Sequence, residues 1–413
     1  MTPPLSRFRP AAGLMLSALS LTPAAHGIGF RLPNQDAAAI ARGNAFAATA
    51  DNPSAIYYNP AGITQLEGMQ VELGLTSYLG INTFYDSPSG NDTRSDFEVK
   101  PSPQVYFTYT PKDSPVSFGL GAYAPFGLGV EWPEDTGFRS IAIDANLKYI
   151  TVNPVVAVKV LPTLSVAMGP TINYSQVAIY RGIARPNDAF NFRGEDFAYG
   201  FNAGILWQPL EKWSFGANYR SATTLDYSGH SDYNPGNPEV NIPSAATTAS
   251  VPFPRIVSGG VSYRPTPRWN VEVNVDYTDW KSLKTVTLEG TSHLGFPIDL
   301  PLQFDWMGTW MYEMGVTYKF DSGWFVSGGY FHISETIQTQ YYTPAVPDSG
   351  LHVANAGFGY SEQHWSFAVA AQIIVGPDRN VVGSPTNPFS GESADGTYQI
   401  VIPTISFSVG YHF

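Results

Sequence analysis

Arg181 falls in step with Ser165, Thr171, Asn173 and Ser175, each an even number of residues away. On a β-strand such side chains share one face of the sheet. An arginine among small polar groups is a partner for a carboxylate, because its planar fork matches the two carboxylate oxygens. The alternative is an arginine at a loop rim, paired with a loop acid. Arg220 and Lys319 carry the same charge on the polar faces of their own segments.

Other chemistries are poorly supplied. After residue 27 the histidines are His230, His293, His332, His352, His364 and His412, and none sits in a recognisable nucleophile motif. Cysteine is absent, which removes disulfides and thiolate metal sites. No phosphate loop or metal-ligand spacing appears. Asp86, Asp92 and Asp96 could offer oxygen to calcium, but they read more simply as a solvated loop. No enzymatic activity, cofactor or resident metal is expected. The net charge of -12 argues against nucleic acid, whose phosphates need clustered Lys and Arg.

The scaffold for these residues is written in period two. In WNVEVNVDYT, Trp269, Val271, Val273, Val275 and Tyr277 form one face, and Asn270, Glu272, Asn274, Asp276 and Thr278 the other. WSFGANYR and the C-terminal run ending at Phe413 repeat the alternation. Asn, Asp, Glu and Arg occupy the polar face, which suits a transmembrane barrel with lipid outside and a polar lumen. Short turns near 111–113, 161–162, 210–211, 265–267, 321–322 and 361–362 alternate with long polar excursions. The spacing predicts an all-β, antiparallel barrel of about fourteen strands with both ends on the short-turn side. Trp213, Trp269, Trp324 and Trp365 each follow a short turn and would form an interfacial girdle.

Residues 1–27 read as a secretory signal, with Arg7 and Arg9 before an apolar run too short to span a bilayer. Residues 28–68 have no strand pattern, and 69–413 carry the barrel. Within 28–68, DAAAIARGNAFAA predicts a short helix capped by Asp36, and Pro53 and Pro60 forbid a long one. Such a segment is either a periplasmic tail or a plug inside the lumen. The third strand reads VSFGLGAYAPFG, where Pro125 cannot donate to a ladder and Gly121 and Gly127 flank it. That predicts either an inward kink with poor pairing or an ordinary bulge. A terminal aromatic such as Phe413 is the feature that the outer-membrane assembly machinery reads in bacterial barrels; structurally it is also the last rung of its strand.

Several segments together resemble one family. They are IGFRLPNQ at Ile28, ARGNAFAATADNPSAIYYNPAG with Asn59, Pro60 and Ala61, YAPFGLGVEW at Tyr123, and DYTDW at Asp276. The sequence resembles the FadL-type outer-membrane transporters of long-chain fatty acids and their TodX-like aromatic-hydrocarbon relatives. The resemblance implies a fourteen-stranded barrel in the bacterial outer membrane with residues 28–68 as a hatch in its lumen. It implies capture of a hydrophobic small molecule by Ile28, Phe30, Tyr123, Phe126 and Arg181, then lateral release at Gly121, Pro125 and Gly127. The partners would be that ligand, outer-membrane lipid and lipopolysaccharide, and the assembly machinery, with the barrel a monomer. The alternative function is a general porin or structural barrel, which would lack the plug.

Overall fold

Each alternating segment becomes a strand, and the sheet closes on itself. A computed structural model describes residues 29–80, 82–88, 90, 92–237, 239, 241–290 and 299–413; the leader and Ile28 lie outside the described residues. Strand β1 comprises Gly68–Leu79 and Asn82–Asp86, β2 Thr93–Arg94 and Val99–Thr110, and β3 Val116–Tyr123 and Gly127–Glu131. Next come β4 (Asp144–Leu161), β5 (Leu164–Arg181) and β6 (Ala189–Leu210). Strand β7 comprises Trp213–Arg220 and Thr223–Asn234, β8 Ala245–Phe253 and Ile256–Tyr263, and β9 Trp269–Thr278 and Thr285–Gly290. Strand β10 comprises Leu300–Gln303 and Thr309–Lys319, followed by β11 (Trp324–Ile333) and β12 (Leu351–Ser361). The last are β13 (Trp365–Val375 and Arg379–Val381) and β14 (Gly396–His412).

Sequential neighbours pair antiparallel, and β14 returns to β1 from Gln70↔His412 to Tyr78↔Thr404, so this is a closed fourteen-stranded antiparallel barrel. Closure removes the free edges that lipid could not satisfy. Strands β5 and β6 run to 18 and 22 residues, well beyond the roughly ten needed to cross a bilayer, so the wall projects past it.

The direction of the alternation decides between barrel and sandwich. On β9, Trp269, Val271, Val273 and Val275 are 43, 41, 54 and 38 % exposed, while Asn270, Glu272, Asn274 and Asp276 are 5, 0, 2 and 4 % exposed. The apolar face therefore points out and the polar face in. Trp213, Trp324 and Trp365 are exposed as well, as an interfacial girdle requires.

The hydrophobic core lies inside the lumen rather than between sheets. Residues 29–66 are almost wholly buried there. Asp36 caps helix α1 (Ala37–Ala41), its carboxylate accepting from the Ala39 N–H at 2.8 Å. Pro53 and Pro60 restrict the rest to helix α2 (Ala55–Tyr58) and the 3-10 turn Pro60–Gln65. Asn59 accepts from the Ala61 N–H and donates to the carbonyls of Ala47 (2.7 Å) and Ile205 (3.0 Å), tying the turn to the wall. Glycine lets the segment approach that closely. A Cβ on Gly204 would stand 2.3 Å from Asn59 Oδ1, and one on Gly216 would stand 1.9 Å from the Ala47 carbonyl oxygen.

The third strand is interrupted. It pairs with β2 only from Val105↔Ala122 to Tyr109↔Phe118, and above that β2 from Val99 to Gln104 pairs with β1 alone among the described residues. The break falls at Ala124, Pro125 and Phe126, all buried. Gly121 is still laddered on both sides, to Tyr106 and Asn153. Its place is set by packing instead, since a Cβ there would meet Ile56 at 2.9 Å.

Candidate ligand cavity and the interrupted third strand

The extracellular half of the lumen holds a cavity of about 540 Å³. Alternation supplies its walls: Leu147 from β4, Val177 and Ile179 from β5, Phe192 from β6, Tyr227 from β7, and Val251 and Phe253 from β8. Loop residues Pro388 and Phe389 stand at its mouth, and Phe389 is 78 % exposed. Arg181 ends β5 in the same inward register and lines this apolar space. Its Nε is buried without a hydrogen-bond partner, and among the described residues it forms no ion pair within 4.0 Å. The loop-rim alternative requires a loop acid beside it, and among the described residues none lies within 4.0 Å.

Aromatic rings floor the cavity. Phe30 packs on Trp306 (4.9 Å between ring centroids) and edge-on against Trp280 (5.6 Å). Phe126 packs on Tyr149 and Phe253, each at 5.1 Å. Offset and edge-to-face geometries like these add about 0.5–1.5 kcal/mol per pair beyond area burial. The floor joins the N-terminal segment to the interrupted strand.

That junction is also hydrogen-bonded. The Leu32 N–H donates to Pro125 O at 2.8 Å, and the Gly127 N–H donates to Phe30 O at 2.7 Å. Gln35 Nε2 donates to Ala124 O at 2.7 Å and Leu32 O at 2.9 Å. The residues before α1 therefore satisfy the backbone that bends away from β2. Arg31 is anchored on the far wall, paired to Asp276 and donating to Thr278 Oγ1 at 3.0 Å. Burial opposes the Arg31 charge, but the carboxylate beside it wins and raises its pKa.

Below the floor, the lumen narrows to a void of about 20 Å³ lined by Arg31, Tyr57, Asn218, Arg220, Asn274, Asp276 and Glu313. That is room for about one water molecule. At the periplasmic end, a further cavity of about 350 Å³ is lined by Arg42, Asp51, Glu72, Lys319 and His412. Lys319 pairs there with Asp51 at 3.5 Å, far along the barrel from Arg181.

Comparison with known proteins places this architecture. Residues 17–413 match the family described as "Outer membrane protein transport protein (OMPP1/FadL/TodX)". The chain belongs to that family. This FadL/TodX-family barrel is 22% identical over 407 residues to the "Long-chain fatty acid transport protein" of Escherichia coli (strain K12), covering 85% of this chain and 88% of that one. Its fold is similar to that of a Pseudomonas aeruginosa FadL homologue (TM-score 0.82, 19% identity, 93% of this chain and 100% of that chain). It is also similar to the Ralstonia pickettii toluene transporter TbuX (TM-score 0.72, 16% identity, 92% of this chain and 99% of that chain). The protein is therefore a multi-pass barrel of the bacterial outer membrane and a transport protein, not an enzyme.

The residues singled out in the sequence separate in space. Phe30 and Arg181 line the cavity. Phe126 lies in its floor, and Tyr123 lies deeper, its hydroxyl donating to Asn153 Oδ1 at 2.9 Å. Pro125 sits at the break, with Gly121 before it and Gly127 after it. Phe413 is 65 % exposed, and its N–H closes on Met69 O at 2.9 Å. Phe253 and Trp306 were not anticipated, because an inward aromatic on an alternating strand looks like any other rung. Asp276 and Trp280 stood in plain view in DYTDW, but only tertiary structure places Arg31 on one and Phe30 on the other.

Proposed function

We propose that this barrel takes up hydrophobic compounds, with long-chain carboxylates as the best-matched class. The observation that carries the reading is an apolar cavity whose wall bears Arg181, which among the described residues has no ion-pair partner within 4.0 Å. Each methylene buried there contributes about 0.8 kcal/mol. Ordering and association costs offset much of that sum, which leaves capture in a reversible, micromolar range. An uncharged aromatic hydrocarbon uses the same walls without the arginine.

Residues 28–68 act as the hatch and the interrupted third strand as the exit. An apolar ligand gains nothing by entering water, so release into the bilayer avoids rehydrating it. The wall has to open without leaving backbone groups unpaired in lipid. The stretch Ala124–Phe126 already bonds to the N-terminal segment rather than to β2, so moving that segment is the least costly way to open the wall. Supporting interactions at the surface follow from the same reading: lipid and lipopolysaccharide around the aromatic belt, the assembly machinery at Phe413, and a monomeric barrel.

The test is binding by the purified barrel of a long-chain acid and of the alcohol of equal length, in wild type and in Arg181→Ala. The acid loses about 1.5–3 kcal/mol in the variant, as for a charged and partly desolvated hydrogen bond, while the alcohol loses little. Equal losses assign Arg181 a packing role. Failure of the wild type to bind either ligand contradicts the reading, and a large ion conductance in wild type favours a general pore.

A further inference from the structure

Buried arginines in this protein are matched by carboxylates. Arg31 pairs with Asp276, Arg42 with Glu272, Arg139 with Asp188 and Arg379 with Glu335. Arg220 breaks the pattern. It is 6 % exposed, lies on the lumen face of β7, and among the described residues no carboxylate oxygen stands within 4.0 Å of it. Its Nη1 donates to Tyr123 Oη at 2.8 Å and its Nη2 to Tyr57 O at 3.5 Å. The guanidinium lies over both rings, 4.9 Å from the Tyr57 centroid and 5.3 Å from that of Tyr123. Cation–π contacts and neutral acceptors offset part of the desolvation cost. The carboxylates of Asp276, already paired to Arg31, and Glu313 line the same void, but among the described residues neither comes within 4.0 Å of the Arg220 guanidinium.

The position gives this charge a use. Tyr123 is the last residue of β3 before the break, and Tyr57 belongs to α2 in the N-terminal segment. Above Arg220 lies the aromatic floor. Tyr149 packs on Phe126 and Phe253, and its hydroxyl pairs with Thr223 Oγ1, three residues beyond Arg220 on the same strand. Arg220 is therefore beneath the floor of the cavity and beside the break, while Arg181 is above the floor.

We propose that Arg220 is a second carboxylate station, which receives the head group of an amphipathic acid after the aromatic floor parts and holds it at the third-strand break. This rests on the reading of the upper cavity as a carrier of hydrophobic carboxylates. Arg181 faces the acid first, at the cavity. Without a second cation, the carboxylate would cross the floor with no partner, at the cost of a bare charge in an apolar space. At Arg220 it replaces neutral acceptors with a charge-assisted contact. The void beside Arg220 holds only about 20 Å³, so the station forms when Tyr57 withdraws with the N-terminal segment. Occupancy of this site and displacement of the hatch then favour one another.

The experiment compares uptake of a long-chain acid with that of the alcohol of equal length in cells carrying wild type, Arg220→Met or Arg220→Lys. Unboiled gel mobility identifies correctly folded barrels. In Arg220→Met the acid-to-alcohol uptake ratio falls about tenfold, the size of one lost charge-assisted hydrogen bond. In Arg220→Lys, which keeps the charge, the ratio stays within about threefold of wild type. If Met lowers acid and alcohol uptake equally, Arg220 only clamps Tyr57 to Tyr123 and the proposal is wrong. If Met does not fold, the Lys variant decides: a ratio as low as about a tenth of wild type overturns a charge-based station. A wild type that takes up neither compound overturns the cavity reading and this inference together. A wild type that takes up both, with the ratio unmoved in Arg220→Met, overturns the second station alone.

Discussion

The backbone N–H of Leu32 donates to the carbonyl of Pro125 at 2.8 Å, so the N-terminal segment partners a barrel strand where its neighbouring strand does not. Gln35 reinforces the link by bonding Ala124 O. Replacing Gln35 with Ala leaves that buried carbonyl short of a donor, at a cost of about 1–3 kcal/mol. Hydrogen exchange at the Leu32 and Gly127 amides should then speed up, with the β4–β5 ladder unaffected. Unchanged exchange at both amides would show that Gln35 does not hold the junction.

The close approach at Gly216 predicts a way to dislodge the segment without touching it. A Cβ there meets the Ala47 carbonyl oxygen at 1.9 Å, and that atom is backbone, so it cannot swing aside. Gly216→Val should fold as a barrel, because the outward face of β7 is unchanged. Single-channel recording should show raised ion conductance, as should deletion of residues 28–68. Wild-type conductance in both would mean that the segment does not obstruct the lumen.

The Arg31–Asp276 pair is buried on both sides, at 4% and 6% side-chain exposure. Arg31→Met strands a carboxylate and should destabilise the junction by about 3–5 kcal/mol. Replacing both partners, as in Arg31→Met with Asp276→Leu, should recover much of that loss, because no lone charge remains. Stability in a denaturant series of the detergent-solubilised barrel measures both. A double variant as unstable as the single one would mean that Arg31 acts through shape rather than charge.

Asp348 lies in the extracellular connection between β11 and β12 and accepts from the Thr336 and Ile337 amides, each at 2.8 Å. Burial pushes its carboxyl up to about 7. In the unfolded connection it ionises near its ordinary value of 3.8, so the folded form holds a proton that the unfolded form has lost. The stabilisation is thus greatest at low pH and declines as pH rises towards about 7, then levels off. This connection also supplies Tyr342 and Val346 to the cavity wall. Exchange at the Thr336 and Ile337 amides, corrected for intrinsic rates, should increase over that window in wild type and become flat in Asp348→Asn. A pH-dependence that persists in the variant assigns it to another group.

The barrel was legible because lipid and lumen impose opposite demands on alternate residues. Trp269 to Thr278 states both faces without ambiguity, and the alternation of short and long turns gives the strand count. Asp36 announced its helix because a side-chain cap is a local feature. What the lumen contains was less legible. The N-terminal segment must fit a surface assembled from many strands, and nothing local in Ala47 says that it will lie against Gly216. Arg181 was readable as inward by register, but whether an acid would stand within 4.0 Å of it depended on how the other strands and loops pack, and among the described residues none does. The third-strand break was signalled by Pro125; its actual span, Ala124–Phe126, depended on the bonds from Phe30, Leu32 and Gln35. Gly121 carried a different message, close packing of Ile56, that a strand sequence cannot distinguish from weak pairing.

Continuing the β2–β3 register past Val105↔Ala122 brings Pro103 opposite Ala124, where the ladder is broken. The chain has no native cysteine, so Pro103→Cys with Ala124→Cys gives two unique thiols across the gap. A reducible bifunctional thiol reagent should bridge them in the folded barrel. Initial uptake of a long-chain acid, measured before and after bridging and again after reduction, tests lateral release most directly. Uptake that stops on bridging and returns on reduction, with ligand capture by the purified barrel retained throughout, is the predicted result. Uptake at the unbridged rate, with bridging shown to be complete, would contradict it and place the route along the barrel axis past the N-terminal segment.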